Sequence, residues 1–177
     1  MPSGCRRVSL ALSVLLLGSA CATSTSLPAA GPSPSPSPTQ SAEAAELVRF
    51  SAVYSAQETT IHSDIAQFVQ VTQSAGNRAI WSAAGNVATE IDSGDATIVA
   101  TPHPADLQAA LDKLVRGDRE LTDGLRAIVH NLQPYNMAVR DVITQAISYR
   151  DGLAQDFSRQ LAAEMRALGL SPPPSPF

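Results

Sequence analysis

The sequence predicts an all-α fold: a small antiparallel helical bundle that follows a disordered tether. Three observations carry this. Of 13 prolines in 177 residues, four lie in Pro32–Pro38 and four in Pro172–Pro176, and only Pro102, Pro104 and Pro134 interrupt the long middle. Proline breaks helices, so a stretch nearly free of it leaves helix able to run. Inside that stretch Leu107, Leu111, Leu114, Asp118, Leu121, Leu125, Ile128 and Leu132 keep the alternating four-and-three spacing of a heptad seam. A link as short as Gln133-Pro134 makes the helices on either side antiparallel neighbours.

The pattern gives four helices, at roughly 42–75, 78–93, 104–132 and 135–168. The first carries Leu47, Phe50, Tyr54, Gln57, Ile61, Ile65, Phe68, Thr72 and Ala75 at helical spacing, and Gly76-Asn77 is its stop signal. Ile80, Ala84, Val87 and Ile91 mark the second, which is expected to end near Ser93-Gly94-Asp95. Thr97–Ala100 is too short to classify and can be read as extended. The alternative has three helices, with residues 42–93 as one long first helix, because a single glycine does not break a helix held by packing. Pro102 and Pro104 give an extended entry to the third helix, and Asp106 suits its positive end. The fourth shows Tyr135, Val139, Val142, Ala146, Tyr149 and Leu153, then a shift of phase to Phe157, Leu161, Met165 and Leu168, before Gly169 and the prolines end it.

The hairpin register follows from the short link. Leu132 faces Tyr135, Leu125 faces Val142, Leu121 faces Ala146 and Leu114 faces Leu153. Asp118 then meets Tyr149, and since an unpaired carboxylate in a seam is costly, the two are expected to form a buried polar pair through the tyrosine hydroxyl. Small residues recur at Ala110, Gly117 and Gly124 beside this seam, which suits close approach of a neighbouring helix. Trp81, the sole tryptophan, is expected to pack on the bundle.

The leader is a separate unit. Arg6 and Arg7 precede the ten-residue apolar run Val8–Leu17, too short for a span of about 20 residues but suited to an export signal. The stretch Leu17-Gly18-Ser19-Ala20-Cys21 resembles the lipobox of bacterial lipoproteins, with Gly18 departing from the usual aliphatic residue. The resemblance implies cleavage after Ala20 and a diacylglyceryl thioether on Cys21, often with a further acyl chain. The alternative is ordinary cleavage after Ala22 at the Ala20-Cys21-Ala22 site. The Arg6-Arg7 pair is also similar to a twin-arginine signal, although Ser9 replaces its usual bulky apolar residue. Residues 1–20 are thus read as signal peptide, 21–40 as lipidated cysteine and Pro/Ser linker, 41–170 as the bundle and 171–177 as an extended or disordered Pro-rich tail. At ~3.1 Å per residue, the linker could hold the domain as far as ~60 Å from a bilayer.

Chemistry-bearing residues are sparse. Beyond residue 20 the chain has 10 basic against 16 acidic residues, a net -6, so no nucleic-acid partner is expected. Cys5 lies within the leader, which leaves Cys21 as the only thiol afterwards and excludes internal disulfides and zinc-thiolate clusters. Glu58 and His62, four apart on one helix, come nearest to a metal pair; a di-iron-type bundle needs more ligands, and no metal is expected. His103 sits between two prolines and His130 near a helix end, where its cation suits the dipole. No Gly-rich phosphate loop, His-Glu-x-x-His or Gly-x-Ser-x-Gly occurs, and no cofactor is expected. The expectation is therefore an exported protein on the extracytoplasmic face of the cell membrane. It is anchored there through lipidated Cys21 and displays a non-catalytic module to an envelope protein partner. A small-molecule- or metal-binding bundle, an envelope sensor or carrier, is the rival, and it requires a cavity near ~300 Å3 or larger.

Overall fold

The computed structural model describes residues 38–174, with side chains from Ser41. Four helices follow one another: α1 (Pro38–Ser74), α2 (Asn77–Ala100), α3 (Ala105–His130) and α4 (Met137–Ala167). No strand occurs among the described residues. Each helix packs on the next in sequence, and α1 closes the ring against α4 along a sparser seam. The described residues form an all-α, four-helix bundle.

The boundaries have local causes. Helix α1 starts at Pro38, three residues inside the expected linker, where a proline costs little because the first-turn N–H is unpaired anyway. The break before α2 is Ala75-Gly76, with Gly76 extended as the cap. Two helices therefore stand where the alternative had one. Helix α2 then runs on to Ala100, seven residues past the expected stop. Gly94 is buried in that helix, and a Cβ there would stand 2.9 Å from Ile61 Cδ1, so this glycine serves close packing and not termination. Ile98, one turn on, is buried and pulls Thr97–Ala100 into the helix.

The loop before α3 is held by His103, whose Nδ1 lies 2.9 Å from the Thr101 carbonyl and whose Nε2 lies 2.9 Å from Gln108 Oε1. Its ring packs at 5.1 Å on Phe50. After α3, Leu132 takes a left-handed conformation (φ 47°) and is 61% exposed, so it leaves the seam expected of it. Asn136 caps α4, its Oδ1 accepting from Val139 N at 3.0 Å. That cap, and not Tyr135, opens the helix. Tyr135 stays in the turn with its ring edge-on to Phe68. The same turn is tied to the start of α2: Tyr135 N donates to Asn77 Oδ1 at 3.2 Å, and Trp81 Nε1 donates to the Gln133 carbonyl at 2.9 Å.

At the other end α4 stops in a Schellman turn. Gly169 is left-handed (φ 73°), Leu170 N donates to the Met165 carbonyl at 2.8 Å and Gly169 N to the Arg166 carbonyl at 2.9 Å. Leu168 and Leu170 then pack on the core.

That core has two parts. One cluster gathers Ile61, Ile65, Phe68, Ile80, Val87, Ile91, Leu121, Leu125, Ile128 and Ile143. The other gathers Leu47, Phe50, Tyr54, Ile98, Leu107, Leu111, Leu114, Phe157, Leu161 and Met165. On every helix the break between the two clusters falls at the same level, and that level is charged.

Candidate functional site

Each helix contributes one charged residue to this layer: Glu58 from α1, Asp95 from α2, Asp118 from α3 and Arg150 from α4. The guanidinium of Arg150, 0% exposed, is the hub. Its Nη1 and Nη2 donate to Glu58 Oε2 and Oε1 at 2.8 and 2.6 Å, a two-pronged pair, and its Nε donates to Asp118 Oδ1 at 2.6 Å. Asp151, partly buried, adds a carboxylate oxygen 3.8 Å from Nη1. Glu58 and Asp118 are fully buried as well.

The expected pair of Asp118 with Tyr149 does not form. Tyr149 is 54% exposed, and the neighbouring Arg150 takes the inward position. The reason lies in the phase of α4. Its buried residues are Ile143, Arg150, Ala154, Phe157, Leu161 and Met165, a single helical stripe with no shift of phase. Reading tyrosine and valine as core and arginine as surface displaced the first half by one residue, so Val142, read as core, is 63% exposed. The rough register survives: Leu153 and Tyr149 border Gly117, and Ile143 borders Gly124.

Electrostatics at the layer are unbalanced, with four carboxyl groups, those of Glu58, Asp95, Asp118 and Asp151, around one guanidinium. Burial pushes the Glu58 and Asp118 carboxyls up, while the guanidinium pulls both back. Burial works against the charge on Arg150, but the carboxylates of Asp118 and Glu58 outweigh it and hold the group above its ordinary value. Asp95, half-buried, is pushed up to about 8 by burial and by the negative charge of Asp118. Asp118 Oδ2 finds no N–H or hydroxyl donor among the described residues. Asp95 and Asp118 lie close enough for a side-chain hydrogen bond, which needs a proton on one of the two carboxyls. One turn along α1, the Tyr54 hydroxyl lies 3.0 Å from both the Ala154 carbonyl and Ser158 Oγ. Burial and the charge of Glu58 raise its pKa far above the ordinary range.

The placement of the other candidates follows. Glu58 has both oxygens engaged by Arg150, so it cannot begin a metal pair with His62, which is half-buried one turn away. Among the described residues no group of three or more His, Cys, Asp or Glu side chains is disposed to hold a metal ion. His130 is exposed in the last turn of α3. Trp81 is partly buried against the first cluster, as expected of it. Cys21 and Ala20, with the signal-peptide reading and all but the last residues of the linker, lie outside the described residues. No described helix is long and apolar enough to cross a membrane.

Sequence reasoning missed two members of the layer. Arg150 was legible in principle, since placing it in the seam gives α4 one unbroken stripe. Asp95 was hidden by the Ser93-Gly94 signal read as a helix end.

A second concavity lies outside this layer. A groove of about 700 Å3 runs between α1 and α4, floored by Tyr54, Leu161 and Ala162, edged by Arg159 and Arg166, and walled by Pro172–Pro174.

Compared with known proteins, the chain matches no protein-family model, no curated protein and no solved structure.

Proposed function

We propose that this chain is an exported, lipid-anchored protein of the cell envelope. Its bundle is a non-catalytic module, held outside the cytoplasmic membrane by Cys21 and in contact with an envelope protein partner. The observation that carries the anchor is the lipobox-like Leu17–Cys21 stretch at the end of an export-type apolar run. Two or more acyl chains on one cysteine, at about 0.8 kcal/mol per buried methylene, turn marginal adhesion into stable anchoring.

The layer around Arg150 supports a non-catalytic reading. Arg150, Glu58 and Asp118 are sealed from solvent and spent on one another, an arrangement that fixes helix register. Val142 and Tyr149, exposed and seven residues apart on α4, offer apolar surface on one face for a partner. The groove between α1 and α4 favours a second reading, a small-molecule carrier or sensor, since its volume lies within the usual range for ligand sites.

The anchor is tested on native material. Mass spectrometry should find an N-terminal Cys21 bearing diacylglycerol, and Cys21→Ser should leave an uncleaved precursor or release the protein. A mature chain beginning at Thr23 without acyl groups, or detergent partitioning unchanged by Cys21→Ser, overturns it.

A further inference from the structure

We propose that the groove between α1 and α4 binds a single-chain anionic amphiphile: an acyl chain that ends in a carboxylate or phosphate. The assignment deepens the small-molecule reading and is independent of the anchor at Cys21.

Shape comes first. The groove exists because α1 and α4 meet along the sparsest seam of the bundle and because the chain after α4 turns back. That return is built: the left-handed Gly169 and the Leu170-to-Met165 hydrogen bond reverse the chain, and Leu170 packs on the core. Pro172–Pro174 follow as the wall. Proline has little backbone freedom left to lose, so the wall is close to its bound form before any ligand arrives.

Chemistry then selects the ligand. The floor is the buried Tyr54 with Leu161 and Ala162, and the Tyr54 hydroxyl is occupied by the Ala154 carbonyl and Ser158. Three prolines present no N–H donor. These surfaces suit methylene groups, and the neutral polar side chains of the lining are Ser55, Gln155 and Ser158, the last already engaged with Tyr54. Charge is confined to Arg159 and Arg166, and no acidic residue lines the groove, although the whole chain is net -4. The two arginines are seven residues apart on α4 and so share a face, ~10 Å apart along the axis. Arg159 is paired with Asp156, whereas no described residue offers Arg166 an ion pair or a side-chain hydrogen bond. Arg166 is therefore the cation left for a ligand head, in the last turn of the helix, beside the proline wall.

The test is titration calorimetry on the full-length Cys21→Ser chain, free of detergent, with dodecanoate, dodecyl phosphate and dodecanol below their aggregation limits. Both anions should bind one to one, at least about tenfold more tightly than the alcohol. Arg166→Ala should remove that preference without weakening the alcohol, and Ala162→Trp should abolish binding of all three. Helix content and melting temperature of each variant establish that it folds. A stronger response to dodecyl phosphate assigns the head to a phospholipid source, and a stronger response to dodecanoate assigns it to a fatty acid. Equal binding of alcohol and anions, all lost in Ala162→Trp, overturns the anionic assignment and leaves the small-molecule reading standing. Absence of binding by any of the three overturns both.

Discussion

Arg150 keeps its charge in the middle of a helical bundle only because carboxylates from two other helices complete its hydrogen bonding. Desolvating such a group costs several kcal/mol, and the return depends on geometry: two bonds to Glu58 and one to Asp118, all at 2.6–2.8 Å. Removing the hub strands its partners. Arg150→Leu should destabilise the fold by about 3–5 kcal/mol in urea or thermal unfolding. Tyr149→Phe, one residue away but exposed, should stay within about 0.5 kcal/mol of the parent. The reverse ranking would restore the tyrosine as the partner of Asp118.

Asp95 makes the layer sensitive to pH. Its carboxyl sits at about 8 in the fold against ~3.9 in an unfolded chain. The folded state thus binds the proton more tightly, and this residue's contribution is fully present below ~3.9 and lost as pH rises to about 8. Asp95→Asn keeps a donor for Asp118 and cannot ionise. It should therefore be more stable than the parent at pH 9, with the gap closing toward pH 4. Parallel stability profiles for the two proteins would place the titrating group elsewhere.

At the scale of helices, glycines in similar sequence settings do opposite work. A Cβ on Gly117 would stand 2.5 Å from Leu153 Cδ1, whereas a Cβ on Gly152 would meet nothing within 4 Å. Gly152→Ala should gain about 1 kcal/mol from helix propensity alone. Gly117→Ala gains the same term but must displace the leucine, and overpacking of this kind costs typically about 1–3 kcal/mol. It should be neutral to destabilising, and equal stabilisation by both would mean that α3 and α4 do not pack closely at Leu153. The recurrence of Gly117 and Gly124 beside a leucine seam made this contact legible in the sequence. Helix α3 was the most readable element, because every member of its seam from Leu107 to Ile128 is buried, Asp118 included. Helices α2 and α4 were less so. Gly94 carries the same local signal whether it ends a helix or receives a neighbouring side chain, and only the Ile61 contact decides between them. In α4, binary reading of apolar and polar residues cannot place an arginine in the core, since what permits it, two acids on α1 and α3, is remote in sequence.

Taken whole, the bundle is two apolar clusters separated by one charged storey. Fold class and helix number followed from periodicity and proline placement, which are local properties. The storey is a tertiary fact that depends on four residues spread from Glu58 to Arg150. Its presence restricts the ways in which the helices can pair, because sliding one helix by a heptad would set Arg150 against leucines and leave Glu58 and Asp118 facing apolar side chains.

The two ends of the bundle differ in one further respect. Where α2 begins and α4 begins, Asn77 and Trp81 grip the backbone of Tyr135 and Gln133, so both turns are fastened together. Where α1 begins, Tyr54 donates to the Ala154 carbonyl and its ring meets that of Phe157 at 4.8 Å, so buried aromatic side chains latch α1 to α4 at that end. Cutting that latch, as in Tyr54→Ala, would therefore loosen the end at which α1 begins while the fastened turns at the far end stay closed.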